Sequence, residues 1–250
     1  MIPKVIHYCW FGRNPLPASA QKCIASWRKY LPDYEIKEWN EDNFDVNIIP
    51  YTQQAYEARK YAFVSDYARF WILYHYGGLY FDTDVEVIKP LNEILERGAF
   101  MGIEQGAFMD NKPMVAPGLG LGVEAGHPFF EKMLRAYCHL EYRKVDGSFD
   151  NTTIVSYTTR ELYKHGMVAS ENLQEVDGLW IYPADYFCPM DSTTGITTIT
   201  ERTFSIHHYD CSWMDHHSLS FRLHQIKNII FRIIGQKNAR LINRICQKFS

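Results

Sequence analysis

Three features that are scarce in this 250-residue chain exclude whole classes of protein. Its six cysteines form no CxxC pair and lack the density of a small disulfide-bonded scaffold, which favours a reducing compartment. No run approaches the roughly 18 apolar residues of a membrane-spanning helix, and the interrupted N-terminal run is too short for a signal peptide. A net charge of −3 lacks the basic excess typical of nucleic-acid-binding proteins. The sequence therefore predicts a cytoplasmic protein with no nucleic-acid partner.

The chain is long enough, and at 46% hydrophobic residues apolar enough, to bury one large core. Strand, helix and strand patterns alternate at its start, which is typical of an α/β fold. The periodicity predicts helices over residues 19–31, 53–76 and 128–142, and strands over residues 4–11, 34–39 and 79–88. We expect one α/β domain over residues 1–215 and an appendage over residues 216–250.

The last part of the chain, residues 218–250, has a different character. It carries seven Lys and Arg residues and no acidic residue, with apolar residues at helical spacing. This pattern predicts a basic amphipathic helical tail, interrupted at Gly235. Such a tail suits docking on an anionic inner membrane surface, but it equally suits packing on the core or across a subunit interface. The sequence leaves these alternatives open.

A carboxylate pair, Asp82 and Asp84, lies in the predicted strand over residues 79–88. Because side chains alternate along a strand, Tyr80, Asp82, Asp84 and Glu86 are expected to share one face. Two carboxylates so placed form a hard-oxygen site that suits Mg²⁺ or Mn²⁺ shared with phosphate oxygens. Such triplets occur in many proteins, so their context has to decide between a metal site and ordinary strand polarity.

The context of the pair is specific. The chain reads Tyr-Ala-Phe-Val-Ser-Asp-Tyr-Ala-Arg-Phe over residues 61–70 and Tyr-Gly-Gly-Leu-Tyr-Phe-Asp-Thr-Asp-Val-Glu over residues 76–86. Together with Ile-Pro-Lys-Val-Ile-His near the start, Gly-His-Pro at 126–128 and the His-His and Ser-Trp pairs near residue 210, nearly all of residues 1–215 resembles the DXD-motif sugar transferases of glycosyltransferase family 32. That family includes bacterial capsule and lipooligosaccharide transferases, yeast mannosyltransferases and, remotely, the glucosylating domains of large clostridial toxins.

The resemblance implies a GT-A fold, a nucleotide-diphospho-sugar donor, Mn²⁺ or Mg²⁺, and retention of the anomeric configuration. Trp10 resembles the aromatic that stacks on the donor base. Asp66 and Arg69, one helical turn apart, resemble the pair that holds the sugar hydroxyls and the diphosphate. The implied nucleotide-sugar-binding residues are Trp10, Ser65, Asp66, Arg69, Tyr80, Asp82, Ser212 and Trp213.

The resemblance also implies a metal set and a catalytic set. Asp82, Asp84 and His207 are the implied metal ligands, and Asp82, Asp84, Arg69 and Asn151 the implied catalytic residues. Neighbouring residues of an extended segment face opposite ways, so His208 is the alternative to His207. The register of the family pattern favours His207. No residue is identified as a nucleophile.

Several residues have a simpler structural interpretation. Asp66 and Arg69 could form an exposed ion pair, and Trp10 could belong to the core. Asp150 or Asn151 could be the N-cap of a helix that begins near Ile154. The Tyr-Ala-x-x-Ser-Asp-Tyr-Ala-Arg frame favours the functional interpretation of Asp66 and Arg69, and we favour the same for Trp10, whereas both interpretations of Asp150 and Asn151 stay open.

The function that these features favour is transfer of a hexose from a nucleotide-diphospho-sugar to a saccharide or lipid-linked oligosaccharide in capsule, exopolysaccharide or lipopolysaccharide synthesis. The first candidate for the donor is a UDP-hexose, and the second is GDP-mannose. Glu104 and Asp110 are candidates to face the acceptor. An aspartyl-phosphate-type phosphatase is a rival, but Glu86 stands where such enzymes usually have Thr or Val. A catalytically silent carbohydrate- or membrane-binding relative is a second rival, disfavoured because Asp82, Asp84, Arg69 and His207 are all present.

Overall fold

A computed structural model describes residues 1–191 and 195–210 of the chain. The helices there are α1 (Ala18–Tyr30), α2 (Pro50–Glu57), α3 (Tyr61–Tyr76), α4 (Asn92–Leu95), α5 (Pro128–Tyr137), α6 (Ile154–Lys164) and α7 (Ala184–Phe187). The strands are β1 (Val5–Cys9), β2 (Glu35–Trp39), β3 (Gly78–Tyr80), β4 (Val85–Val87), β5 (Phe100–Met109), β6 (Lys112–Val115), β7 (Leu121–Val123), β8 (Gln174–Val176), β9 (Leu179–Tyr182) and β10 (Ser205–His207).

A mixed sheet forms the centre of the fold. Its strand order is β2-β1-β3-β7-β5-β9-β8, with β6 paired to β5, and a second small sheet pairs β10 with β4. Strands β1, β2, β3, β5 and β9 run in one direction, whereas β7 runs against its neighbours β3 and β5. The predicted α/β class is confirmed.

Successive strand residues point to opposite faces of the sheet and pack into two hydrophobic clusters, one on each face. Tyr80 and Met101 join one cluster with α3, α5 and α6, while Leu79 and Phe100 join the other with α1 and α7. Trp27 of α1 is fully buried and its indole N–H donates to the Val85 carbonyl at 2.7 Å. The sheet is thus covered on both sides, the arrangement that α/β proteins use to bury both faces.

Two of the predicted helices differ from the observed ones. The helix predicted over residues 53–76 is divided into α2 and α3, because the chain turns at residues 58–60 and Arg59 has a left-handed φ of 57°. Aromatic residues on both sides of this turn pack on the same core, so the periodicity conceals the break. The helix predicted to reach residue 142 ends at Tyr137. Tyr142 is nevertheless fully buried, which is why it extended the apolar pattern.

The single strand predicted over residues 79–88 is also wrong. Strand β3 ends at Tyr80, β4 begins at Val85, and the two belong to different sheets. Asp82 and Asp84 lie on the turn between them, which the Val85 N–H closes by donating to the Asp82 carbonyl at 3.0 Å. The alternation persists through the turn because Phe81 and Val85 are both buried in the same cluster. The two carboxylates are therefore presented by a turn and not by one strand face.

The appendage predicted over residues 216–250 and its boundary at residue 215 lie outside the described residues. Within residues 1–191 and 195–210, no helix has both the length and the apolar composition needed to cross a membrane.

Candidate active site

The candidate site lies where parallel strands of the main sheet end. The carboxyl ends of β1 and β3 lead directly to Trp10 and to the Asp82 turn, and the buried part of β5, which runs the same way, leads to Glu104. Ligands of α/β proteins generally bind outside the carboxyl ends of parallel strands. The topology thus gathers three residues that sequence reasoning had named separately.

Trp10 is not a core residue, because it lies just beyond β1 and is only partly buried. Its indole N–H donates to the Asn14 carbonyl at 2.6 Å, which fixes the plane of the ring. The loop that follows is held by Glu41, whose Oε1 accepts from the Gly12 N–H at 2.6 Å. Gly12 has a φ of 95°, and a side chain there would meet the Tyr61 ring. Glu41 is a supporting residue that the sequence offered no signal to find.

Arg69 is 4% exposed and lies between two carboxylates. Its Nη2 donates to Asp66 Oδ1 at 3.1 Å, its Nη1 to Asp82 Oδ2 at 3.3 Å, and its Nε to the Ser65 carbonyl at 3.2 Å. The guanidinium also lies 4.9 Å from the centre of the Tyr80 ring. The surface ion-pair interpretation is therefore wrong. Exposed pairs contribute about 0–1 kcal/mol, whereas breaking a buried one costs about 3–5 kcal/mol.

Asp66 is a buried carboxyl with an unusual pKa. Burial raises this pKa to about 7, although the Arg69 guanidinium opposes the shift. The Asp82 carboxylate raises it further, and a hydrogen bond from the Ile154 N–H at the start of α6 lowers it. Strongly perturbed carboxyls of this kind are common at functional sites. The bond to Ile154 thus joins the start of α6 to the carboxyl that pairs with Arg69.

The raised pKa of Asp66 predicts a pH-dependent stability. The ordinary value is 3.8 and the folded value about 7, so the folded protein retains a proton that the unfolded chain releases. The resulting contribution to the free energy of unfolding is complete below about pH 4, falls as the pH rises and is lost above about pH 7. Urea denaturation of the wild type and of Asp66→Asn from pH 4 to pH 8 measures it as a changing difference between the two proteins. A difference that stays constant with pH would contradict the raised pKa.

Asp82 is held from three sides. Besides its contact with Arg69, its Oδ1 accepts from the Tyr80 hydroxyl at 3.2 Å and its N–H donates to the Gly118 carbonyl at 3.1 Å. A Cβ atom at Gly118 would overlap Asp82 Oδ2 and approach Arg69 Nη1 to 3.2 Å. Only glycine fits there. The signal for such a close approach in the sequence is the density of glycine here, with Gly120 and Gly122 following Gly118.

Asp84 faces the other side of the site, towards β10. Its Oδ1 lies 3.2 Å from His207 Nε2, and its side chain is 17% exposed. Burial raises the pKa of Asp84, but His207 and the Asp210 N–H lower it by more, so the net pKa lies below the ordinary value. Conversely, burial lowers the pKa of His207 while Asp84 raises it, to about 9. At neutral pH the two groups form a charged pair.

The structure also separates the two candidate histidines. The register of β10 on β4 places His207 opposite Val85, beside the Asp82 turn. His208 instead points to Glu86, with 2.9 Å between Nε2 and Oε2. Of the two histidines, His207 is the one that contacts the DXD carboxylates, in agreement with the predicted register. Its role as a ligand stays a prediction.

The loop before α6 corrects one structural interpretation. The N-cap is Thr153, whose hydroxyl accepts from the Ser156 N–H, and not Asp150 or Asn151. Asp150 instead accepts from Thr152 and from the Tyr157 hydroxyl. Asn151 is exposed, so its amide is available for the predicted contact with a donor sugar.

The remaining predicted residues fall in different places. Glu104 is partly buried and accepts from the Tyr209 hydroxyl at 3.1 Å, whereas Asp110 is exposed in the β5–β6 turn with a left-handed φ of 52°. Asp110 therefore has a turn-forming role of its own. Ser212 and Trp213 lie outside the described residues.

The carboxylate pair suits a divalent cation by its chemistry. Mg²⁺ and Mn²⁺ sites of this kind use one or two carboxylates and take further oxygens from the substrate's phosphates. Among residues 1–191 and 195–210, no group of three or more His, Cys, Asp or Glu side chains is already arranged around one point. His207 would have to lose its proton before it could bind a metal. The residues therefore fit a cation that the diphosphate helps to hold.

Comparison with known families decides the class of the site. Residues 17–101 match the family described as "Glycosyltransferase sugar-binding region containing DXD motif". Residues 17–101 of this chain are therefore similar to the sugar-binding region of the DXD-motif glycosyltransferases. The matched range of this DXD region includes Arg69 with its two carboxylates and the Asp82 turn. The resemblance drawn from the sequence is confirmed.

Two relatives extend the comparison of the DXD region. Inositol phosphoceramide mannosyltransferase 3 of Schizosaccharomyces pombe is 30% identical over 138 residues, which are 54% of this chain and 36% of that protein. An uncharacterized glycosyltransferase of Acanthamoeba polyphaga mimivirus is 24% identical over 251 residues, 93% of this chain and 92% of that protein. The chain spans about a third to a half of the length of the yeast mannosyltransferases that it matches.

A solved structure supports the fold around the DXD region. The PaToxG glycosyltransferase aligns with a TM-score of 0.50 at 18% identity, over 65% of this chain and 69% of that one. The mixed sheet covered by helices on both faces is the predicted GT-A type.

Proposed function

We propose that the protein is a metal-dependent, retaining glycosyltransferase that moves a hexose from a nucleotide-diphospho-sugar to a saccharide or lipid-linked acceptor. The observation that carries this proposal is the buried Arg69, which lies between Asp66 and Asp82. Asp84 lies on the same turn as Asp82. Sugar transfer breaks a bond to a diphosphate, so negative charge builds up on the leaving oxygens. A fixed guanidinium at that position stabilises the transition state more than the bound substrate.

The side chains of the site divide the work in this proposal. Trp10 offers an aromatic face to the donor base, and Asp66 accepts from sugar hydroxyls while it orients Arg69. Asn151 is exposed in the loop that leads to Ile154, whose N–H bonds Asp66, and in this proposal its amide contacts the donor sugar. A divalent cation held by Asp82, Asp84 and His207 would neutralise the diphosphate as it leaves. No side chain is assigned as a nucleophile, which fits a front-face displacement with retention.

The donor and acceptor are part of the proposal. UDP-hexose is the first choice of donor and GDP-mannose the second, and the names of the yeast relatives give weight to mannose. For the acceptor we propose a saccharide or lipid-linked oligosaccharide of a capsule, an exopolysaccharide or a lipopolysaccharide. The relative named for inositol phosphoceramide gives weight to the lipid-linked alternative.

Donor binding is expected to require the cation, because the diphosphate would otherwise meet Asp82 and Asp84 with their charges unscreened. Calorimetric titration with UDP-hexoses and GDP-mannose, each with Mn²⁺ and then with excess EDTA, tests both the metal and the donor. We expect one nucleotide sugar to bind with Mn²⁺, to lose its affinity in EDTA, and to be slowly hydrolysed when no acceptor is present. Equal affinity in both conditions would remove the metal from the proposal. Failure of every donor to bind or hydrolyse would remove the transferase activity itself.

The place of action is proposed from the sequence. We propose action in the cytoplasm, with the basic tail over residues 218–250 docking on the anionic inner face of the membrane, where a lipid-linked acceptor is presented. The tail lies outside the described residues, so its composition is the support for this part of the proposal.

A further inference from the structure

The last residue of β10 and the three residues after it, residues 207–210, surround Asp84. His207 Nε2 lies 3.2 Å from Asp84 Oδ1, and the Asp210 N–H donates to Oδ2 at 3.0 Å. The His208 N–H donates to the Asp84 carbonyl, also at 3.0 Å. Both carboxylate oxygens and the main-chain oxygen of Asp84 are therefore held by one run of chain.

The arrangement of residues 207–210 around Asp84 depends on the backbone at Tyr209. Its φ is +53°, in the left-handed region that a bulky residue seldom adopts. This reversal lets the side chain of His207 and the N–H of Asp210 reach the same carboxylate. A strained residue of this kind persists only where its surroundings hold it, and such residues cluster at functional sites.

The Tyr209 side chain is anchored at both ends. Its hydroxyl donates to Glu104 Oε1 at 3.1 Å and lies 3.0 Å from the Cys188 sulfur, whose thiol also lies 3.6 Å from the Met190 carbonyl. Cys188 is fully buried, and Glu104 lies where β5 leaves the covered part of the sheet. At the other end, the Tyr209 ring packs edge-on against His207, with 4.3 Å between ring centres and an angle of 89°.

We propose that Tyr209 is a positioning residue, which Glu104 and Cys188 anchor so that His207 and the Asp210 N–H stay on Asp84. The proposal rests on the function proposed above, because it assigns this anchor to the same site. The anchor touches neither sugar nor phosphate in our assignment. It acts as a supporting contact that orients the proposed metal ligands His207 and Asp84. Loss of such contacts typically weakens metal binding about 10- to 100-fold.

The variant Tyr209→Phe removes the hydroxyl and keeps the ring against His207. Tyr8→Phe is the matched control, since the Tyr8 hydroxyl also donates to a glutamate, Glu38 Oε2, at 2.6 Å, and Tyr8 is the more deeply buried of the two tyrosines. Two readouts are needed: the His207 imidazole signals in a two-bond ¹H–¹⁵N spectrum of the metal-free protein, and the affinity for Mn²⁺ in the presence of UDP or GDP, measured by electron paramagnetic resonance. Melting temperatures report whether each variant folds.

In Tyr209→Phe we expect the His207 ring signals in this spectrum to shift or broaden, and the Mn²⁺ dissociation constant to rise at least about tenfold. In Tyr8→Phe both readouts should match the wild type. Should Tyr209→Phe fail to fold, Glu104→Leu keeps the tyrosine, removes its acceptor and carries the same expectation.

Unchanged His207 signals and Mn²⁺ affinity in a folded variant would overturn the proposal, because Tyr209 would then be a packing residue. An equal change in Tyr8→Phe would also overturn it, since the effect would not be specific to the anchor. If the wild type binds no Mn²⁺ with either nucleotide, the proposed function fails, and the His207 signals alone still decide whether Tyr209 positions the imidazole.

Discussion

An Asp84→Asn variant is expected to fold and to lose sugar transfer by about 1,000-fold or more, because its amide can no longer supply the charge that a divalent cation requires. The amide keeps one acceptor oxygen, so the contact with the Asp210 N–H can persist. At the same time the substitution removes the negative charge that pairs with the His207 imidazolium. Turnover measured with the donor found by titration, at several Mn²⁺ concentrations, gives the size of the loss.

The control for this substitution is Asp185→Asn. Asp185 is a partly buried carboxylate paired with Arg202 at 2.7 Å, as Asp84 is paired with His207. We expect the control to retain turnover and its dependence on Mn²⁺. If Asp84→Asn stays active, the cation is held elsewhere and the assignment of the DXD turn as its site is wrong.

Arg69→Lys is expected to lower kcat/KM by about 100-fold or more, since lysine cannot reproduce the fork that arginine forms here. Nη1, Nη2 and Nε each donate to a different group: Asp82, Asp66 and the Ser65 carbonyl. One ammonium cannot hold both carboxylates in this geometry and also meet a diphosphate. Some loss of stability is expected as well, because the buried Asp66 and the partly buried Asp82 keep a poorer partner.

Steady-state kinetics and urea denaturation separate the two effects of Arg69→Lys. Arg135→Lys is the control: Arg135 also pairs with an acid on its own helix, Glu131 at 2.6 Å, but on the exposed surface. The control should change neither kcat/KM nor stability by a measurable amount. Near-normal kinetics in Arg69→Lys, together with a loss of stability, would make Arg69 a structural residue and withdraw it from catalysis.

Features carried by neighbouring residues could be predicted from the sequence. The order of strands and helices at the start of the chain, the Asp66–Arg69 frame and the DXD pair all follow from short-range periodicity or contiguous motifs, and each is present in the fold. The predicted boundaries of the helices and strands are less accurate. The turn at residue 59 and the break between β3 and β4 keep the hydrophobic period, so they cannot be seen in the pattern alone.

The sequence by itself determined the class of site, because the residue types and their spacing are local properties of the chain. Only the tertiary structure decided how those residues act. The burial of Arg69, the choice of His207 over His208 and the support from Glu41, Gly118 and Tyr209 depend on contacts between segments far apart in the chain. Burial, electrostatic shifts and close approach arise only when distant elements pack together, and no local pattern specifies which elements will meet.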